Sequence, residues 1–300
     1  MLWLIGKNGM LGTEVARQLT EKNIAFVGTG HEVDVTDVAA LESFASAQKQ
    51  KITFIINCSA YTAVDKAESE VELANKINTD GARNIARIAK KLGAKLIHIS
   101  TDYVFDGTGK VPYTEDMSVA PLGVYGRTKA DGEKVIQHEM SEYYILRTAW
   151  LYGWAGKNFV YTMIKAMNTH PSVKVVNDQK GSPTFTLDLA QIIIKIIEQN
   201  KNEKPVPFGI YHVTDLGVIT WYEFVLEIKK QAVKLGLITN ADCVVNPCTT
   251  QDYPTPAKRP SYSVLSKQKI QNALNMQVPD WKESLKLFLS SSNFDKNRLV

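Results

Sequence analysis

The chain has 300 residues, 44% of them apolar and 22% charged, with a formal net charge of +4 at pH 7. This is the composition of a globular protein able to bury a core, with no apolar run long enough to span a membrane. The charge is spread without long basic runs, so neither a nucleic-acid nor a membrane partner is expected, whereas a mildly positive cleft for a small anion is consistent with it. Cys58, Cys243 and Cys248 are odd in number and lack metal-ligand spacing, and read as reduced thiols of a cytoplasmic protein.

The start, Met1-Leu-Trp-Leu-Ile5, is apolar but short and has no basic leader, so residues 2–5 read as a buried strand and not as a signal peptide. Gly6, Gly9 and Gly12 follow, leading into an amphipathic helix over 11–21 with Leu11, Val15 and Leu19 on one face. Glycines between a strand and a helix permit a tight turn, close approach of backbone to a pyrophosphate, and close helix–strand packing. A purely structural turn is the alternative. The second strand, 25–28, runs into Thr29-Gly30-His31 with no acid at its tip. An Asp there would accept from both ribose hydroxyls and repel a 2′-phosphate, so its absence removes an objection to NADP. His31 either faces such a phosphate or lies in a solvated loop. Asp34 either accepts from an adenine amino group or belongs to a helix cap, a role that Thr36 or Asp37 already explains.

A helix over 38–48, a strand over 53–57, a long helix over 71–92, a strand over 95–100, a helix over 126–138 and a strand over 144–147 continue the alternation. Strand–helix alternation of this kind predicts a parallel sheet covered by helices on both faces, with ligands beyond the carboxyl ends of the strands. After about residue 150 the pattern loosens. Helices are expected at 159–167, 187–198 and 221–235, a strand at 211–213, and a short helix around 285–289. The stretch 249–265, rich in Pro, Tyr and Ser, reads as an ordered binding loop. The expected fold class is α/β, a Rossmann-type doubly wound parallel sheet with a smaller C-terminal α/β substrate-binding domain. The NAD(P)-binding part covers 1–150, segments around 184–215 return to it, and 151–300 is mainly the substrate-binding part.

The chemistry lies in Thr101 and in Tyr125-Gly-Arg-Thr-Lys129. Reducing a ketone requires a hydride at carbon and a proton for the developing alkoxide. A phenol with a pKa near 10 is a poor donor at neutral pH unless a nearby cation stabilises its phenolate. Tyr125 and Lys129 lie one helical turn apart, so they share a face and both can reach a nicotinamide ribose. Thr101, at a strand end, can hold the carbonyl beside the phenol. The next residues are Asp102 and Tyr103. A Tyr in place of a second carboxylate disfavours the acid–base elimination of a dehydratase.

The GxxGxxG spacing is similar to that of the extended short-chain dehydrogenase/reductases. The chain as a whole resembles the dTDP-4-dehydrorhamnose reductase family over nearly its full length. The resemblance is carried by 57–68, 100–107, 124–129, 146–153, 177–184 and 253–260, which include Asn57-Cys-Ser-Ala-Tyr-Thr62, Leu146-Arg-Thr-Ala-Trp150 and Ala257-Lys-Arg-Pro260. It implies reduction of the 4-keto group of dTDP-4-dehydro-β-L-rhamnose by NADPH or NADH. It places Gly9, Met10, Leu11, Asp34, Val35, Ala60, Tyr61 and Thr62 on the cofactor. It places Thr101, Asp102 and Trp150 on the sugar nucleotide, with Tyr125 and Lys129 at the chemistry. Arg259, flanked by prolines, suits the diphosphate, although a surface Arg is the bland alternative. Two departures stand out. Thr29 occupies the position where the family often has an acid, which leaves the choice of NADH or NADPH open. Glu14 matches one of the helical glutamates through which some members hold magnesium, but residue 187 is Leu and the C-terminus offers no partner, so no metal is expected. The protein is expected as a monomer or homodimer. The rival readings are another nucleotide-sugar reductase or epimerase, and a non-catalytic, reductase-like regulatory subunit.

Overall fold

The computed structural model describes residues 1–201 and 205–299. The first part alternates β1 (Leu2–Ile5), α1 (Met10–Glu21), β2 (Phe26–Thr29), α2 (Val38–Ser46), β3 (Phe54–Asn57), short helices α3 (Val64–Ala67) and α4 (Val71–Asn75), α5 (Gly81–Leu92), β4 (Lys95–Thr101), α6 (Val124–Glu139) and β5 (Tyr143–Thr148). The chain continues with β6 (Leu151–Tyr152), α7 (Phe159–Thr169), β7 (Ser172–Val176), β8 (Lys180–Gly181), β9 (Thr184–Phe185), α8 (Thr186–Gln199), β10 (Gly209–His212), β11 (Ile219–Thr220), α9 (Trp221–Lys234), β12 (Val244–Cys248), α10 (Gln268–Leu274) and α11 (Trp281–Ser290).

Six strands form one parallel sheet in the order β10-β5-β4-β3-β1-β2. The direction of winding reverses between β1 and β3, which opens a crevice at their carboxyl ends. β1 is buried on both faces, so its side chains divide by the two-residue strand period. Leu2 and Leu4 join Val15, Ile56, Leu146, Leu189 and Ile193 on the side of α1 and α8. Trp3 and Ile5 join Ile55, Ile85, Leu96 and Ile136 on the other. A third core, built around Tyr152, Phe185, Phe224 and Phe288, lies among α7, α9 and α11. Among the described residues no helix is long and apolar enough to cross a membrane.

Several boundaries differ from the sequence expectations in ways that shape the site. The helix expected over 71–92 is interrupted by a π-helical turn at Lys76–Asp80. There Asn78 turns inward, accepting from Tyr61 N (2.9 Å) and donating to Thr128 Oγ1 (3.1 Å), and the wider turn supplies that aim. β4 extends to Thr101, and α6 begins at Val124, which puts Tyr125 in its first turn. No side chain of its own caps α6. Glu68, distant in sequence, accepts from Val124 N at 2.8 Å. The parallel pair β7–β12 was not expected, because Val244–Cys248 contains Pro247 and little apolar alternation, features tolerated at a sheet edge. The helix α10 was likewise unforeseen; its buried residues are only Ile270 and Leu274. The Pro-rich 249–265 stretch is ordered by backbone bonds, including Tyr262 N to Gly107 O and Ser263 N to Lys180 O.

Candidate active site

A groove runs along the carboxyl ends of β1, β3 and β4. One part, a cavity of about 450 Å³, is lined by Gly6, Gly9, Asp34, Val35, Ala60 and others, with Asn8 and His31 at one end. The next part, about 400 Å³, is lined by Met10, Leu11, Thr62, Thr101, Asp102, Tyr125, Lys129 and Trp150. Gly9, Cys58, Ser59 and Ala60 line both, so the two parts are continuous.

The glycine turn has physical reasons at two positions. Gly6 has φ +80°, and a Cβ there would sit 2.8 Å from Ser59 N. A Cβ on Gly12 would lie 2.0 Å from Gly6 O, so Gly12 permits helix and strand to close and does not itself line the groove. Gly9 is the N-cap of α1 and offers no side-chain cap, and the first turn carries no acid. The backbone N–H groups of that turn therefore remain for an anion, and the cradle fits a dinucleotide pyrophosphate.

At the end expected to read the ribose, Thr29 does not face the groove. It is buried, and its Oγ1 accepts from Trp3 Nε1 at 3.0 Å. The acid at this corner is Glu32, three residues on. Its carboxylate accepts from Gly30 N (2.9 Å) and pairs with Lys7 Nζ (3.0 Å). Backbone N–H groups and Lys7 hold its pKa down at about 2. Sequence reading that stopped at the strand tip could not find it. The cap of α2 is Asp37, which accepts from Ala39 N and Ala40 N. Asp34 accepts from Thr36 N (2.8 Å), which lowers its pKa, and it lines the groove. Tyr61 differs from the expectation. Its phenol turns away to Glu70 (2.5 Å) and lines neither part of the groove, while Asn78 holds its backbone N–H and carbonyl.

At the reacting end, Thr101 Oγ1 donates to Asp102 Oδ1 (3.0 Å) and accepts from Tyr103 N (3.2 Å). Asp102 is buried with Oδ2 unpartnered, and burial pushes its carboxyl up to about 6. Tyr125 packs edge-on against Tyr103 at 5.5 Å. Lys129 is buried, and its Nζ donates to Ile99 O at 2.6 Å and lies 3.3 Å from His98 Nε2. Burial draws the ammonium down to about 8, with Glu133 and Cys58 acting the other way. The expected lowering of the phenol by Lys129 is absent. Burial, joined by Asp102 and Tyr103, raises Tyr125 above its ordinary range, and only the Thr101 hydroxyl opposes this. Lys129 Nζ is instead turned to the β4 backbone at Ile99 O.

Two residues expected on the sugar nucleotide flank this end, Trp150 in the lining of the groove and Arg259 in that of an adjoining cavity. Trp150, with φ +47°, stacks on Trp221 at 3.6 Å and 11°. Gly181 makes room for it, since a Cβ there would come within 2.5 Å of the indole. Arg259 pairs with Asp65 (2.6 Å) and donates to Tyr103 OH (3.2 Å). It lines an adjoining cavity of about 470 Å³ with Tyr103 and Trp221, so it is no free surface cation.

The helix carrying Tyr125 and Lys129 is fastened to the sheet by a buried ion pair unseen in the sequence. Glu133 accepts from Arg147 of β5 through both oxygens, at 2.7 Å and 2.9 Å for the shortest bonds, and Ser100 Oγ donates to it as well. The signal was present: His98 and Ser100 are buried polar residues at alternate positions of β4, on the face that meets α6. Glu14, on α1, is taken up by Arg17 and Gln18. Among the described residues no group of three or more His, Cys, Asp or Glu is placed to hold a metal.

The family model described as the RmlD substrate binding domain matches residues 1–294. A dTDP-4-dehydrorhamnose reductase of Aggregatibacter actinomycetemcomitans is 38% identical over 287 residues, covering 95% of this chain and 97% of that one. The crystal structure of a dTDP-4-dehydrorhamnose reductase from Clostridium acetobutylicum superposes with a TM-score of 0.87 at 43% identity, covering 96% of this chain and 98% of that one. One from Bacillus anthracis, solved in complex with NADP, gives a TM-score of 0.86 at 35% identity, covering 96% and 97%. With a reductase-type groove, a matching family model and this degree of identity along both chains, the chain belongs to the dTDP-4-dehydrorhamnose reductase family.

Proposed function

We propose that this protein is an NAD(P)H-dependent reductase of the 4-keto group of dTDP-4-dehydro-β-L-rhamnose, forming dTDP-β-L-rhamnose. The observation that carries the reading is the one cavity lined by Thr101, Tyr125 and Lys129 together with Met10 and Leu11 of the glycine-turn helix. The bound nicotinamide supplies the hydride. Gly6, Gly9, Met10 and Leu11 cradle its pyrophosphate, and Asp34, Val35, Ala60 and Thr62 line the adenosine and ribose path. Thr101 orients the sugar ketone, Tyr125 gives its phenolic proton to the carbonyl oxygen, and Lys129 restores that proton. Asp102, Trp150 and Arg259 bind the sugar nucleotide. Residues 1–150 with the segments around 184–215 serve the cofactor, and 151–300 mainly the substrate. The three free thiols support a setting in the reducing cytoplasm.

The test follows nicotinamide absorbance with dTDP-4-dehydrorhamnose generated in situ, using each cofactor in turn. Turnover with product dTDP-rhamnose is the expected result. A folded, cofactor-binding protein that leaves the ketone untouched would refute the assignment.

Glu32 sets a further expectation. Its carboxylate occupies the Gly30 N–H and the Lys7 ammonium, the donors at this corner best suited to a 2′-phosphate. Glu32→Gln is therefore expected to lower KM for NADPH by about threefold, an effect of the size typical for a solvent-exposed charge, with KM for NADH little changed. Equal shifts for both cofactors would show that Glu32 does not face the 2′ position.

A further inference from the structure

Asn57, His98 and Lys129 form one buried hydrogen-bonded chain beneath the groove, and its polarity follows from its far end. The Ser59 backbone N–H can only donate, and its acceptor is Asn57 Oδ1 at 3.0 Å. Ser59 Oγ donates to the same oxygen at 2.6 Å. This fixes the amide, so the Asn57 NH₂ faces His98 Nδ1 at 3.0 Å and that ring nitrogen must accept. A neutral imidazole carries one proton, which then sits on Nε2. Nε2 lies 3.3 Å from Lys129 Nζ. An N–H at that point is attracted to the lone pair of an amine and repelled by an ammonium. Ile99 O, the other partner of Lys129, accepts from either form and does not discriminate.

We propose that His98, with its tautomer held by Asn57 and the Ser59 backbone, is a positioning residue that stabilises the amine form of Lys129 and so lets Lys129 return a proton to Tyr125. The inference rests on the reductase reading. When Tyr125 protonates the carbonyl oxygen its O–H bond breaks. A Lys129 N–H bond then breaks in turn, the proton restores the phenol, and the amine left behind accepts from His98 Nε2–H. Solvent reprotonates the amine before the next turnover. The groups facing this step are Tyr125 and Glu133 on α6, Cys58 after β3 and His98 on β4, while Arg147 of β5 is held by Glu133. Burial and the neighbouring Lys129 hold the imidazole well below its usual pKa, so it stays neutral.

Two measurements decide the matter. Long-range ¹H–¹⁵N correlation on the histidine-labelled wild type reads the tautomer without any turnover, and so stands apart from the success or failure of the reductase assay. The proton is expected on Nε2 of His98, and finding it on Nδ1 would overturn the proposal. The second is the pH profile of kcat/KM for reduction. Lys129 is cationic below about 8 and an amine above it, so the rate is full at lower pH and falls as pH rises through about 8. In His98→Gln the amide oxygen can accept from the ammonium, and in Asn57→Asp the carboxylate can accept from Nδ1–H and turn Nε2 into an acceptor. Both changes are expected to move the alkaline fall upward by about one pH unit, because each now hydrogen-bonds the charged form. Folded variants whose rate drops at an unmoved fall would leave His98 a purely structural residue.

Discussion

Tyr125→Phe is expected to lower kcat for ketone reduction by about 10²- to 10⁴-fold, the usual contribution of a positioned proton donor. The ring would still pack against Tyr103, whose centroid is 5.5 Å away, so the wall of the groove is retained. Only the phenolic proton is removed. Cofactor affinity, read by nicotinamide fluorescence, should therefore stay within about twofold of wild type, and the loss should fall on kcat and kcat/KM together. Retention of kcat within about tenfold of wild type would move the proton donor elsewhere, with Asp102, buried and pushed up to about 6, as the first alternative.

The second large effect concerns stability. Glu133 and Arg147 each have side chains 3% exposed, and their bonds join α6 to β5. Removing one partner strands the other charge in a site without water. Glu133→Ala is expected to cost about 3–5 kcal/mol, read as a fall in the urea midpoint at unchanged slope. Replacing both residues by apolar side chains of similar volume is expected to recover most of that loss, since a buried pair gains little net free energy over well-packed hydrocarbon. Ser100 would lose its acceptor in either case, which limits the recovery. A single substitution that costs less than about 1 kcal/mol would show that Arg147 finds water or another acceptor. His212 Nε2, 3.4 Å from Arg147, is the nearest candidate.

What local spacing encodes was legible in the sequence. Gly6 and Gly9 lie between one strand and one helix, and Tyr125 and Lys129 on one turn, and short-range geometry brings all four to the lining of a groove. Not legible were the parts that depend on competition among distant groups. The Lys129 ammonium was expected to lower the Tyr125 phenol, but in the fold Lys129 donates to Ile99 O, and burial raises the phenol and lowers the ammonium. The missing acid at Thr29 left the choice of cofactor open, and only the fold shows that Trp3 claims the Thr29 hydroxyl while Glu32, three residues on, accepts from Gly30 N.

The sequence by itself determined the class of fold, the cofactor turn and the one-turn spacing of Tyr125 and Lys129, because strand and helix periods are properties of the chain within a few residues. Only the tertiary structure decided how those groups are tuned. Glu68 reaches the first turn of α6, Asn78 reaches Tyr61 and Thr128, and Asn57 fixes the face that His98 shows to Lys129. These partners lie tens of residues apart, and their effect arises from the exclusion of water. A buried donor or acceptor must find its complement inside the protein, and no local pattern records which one it finds.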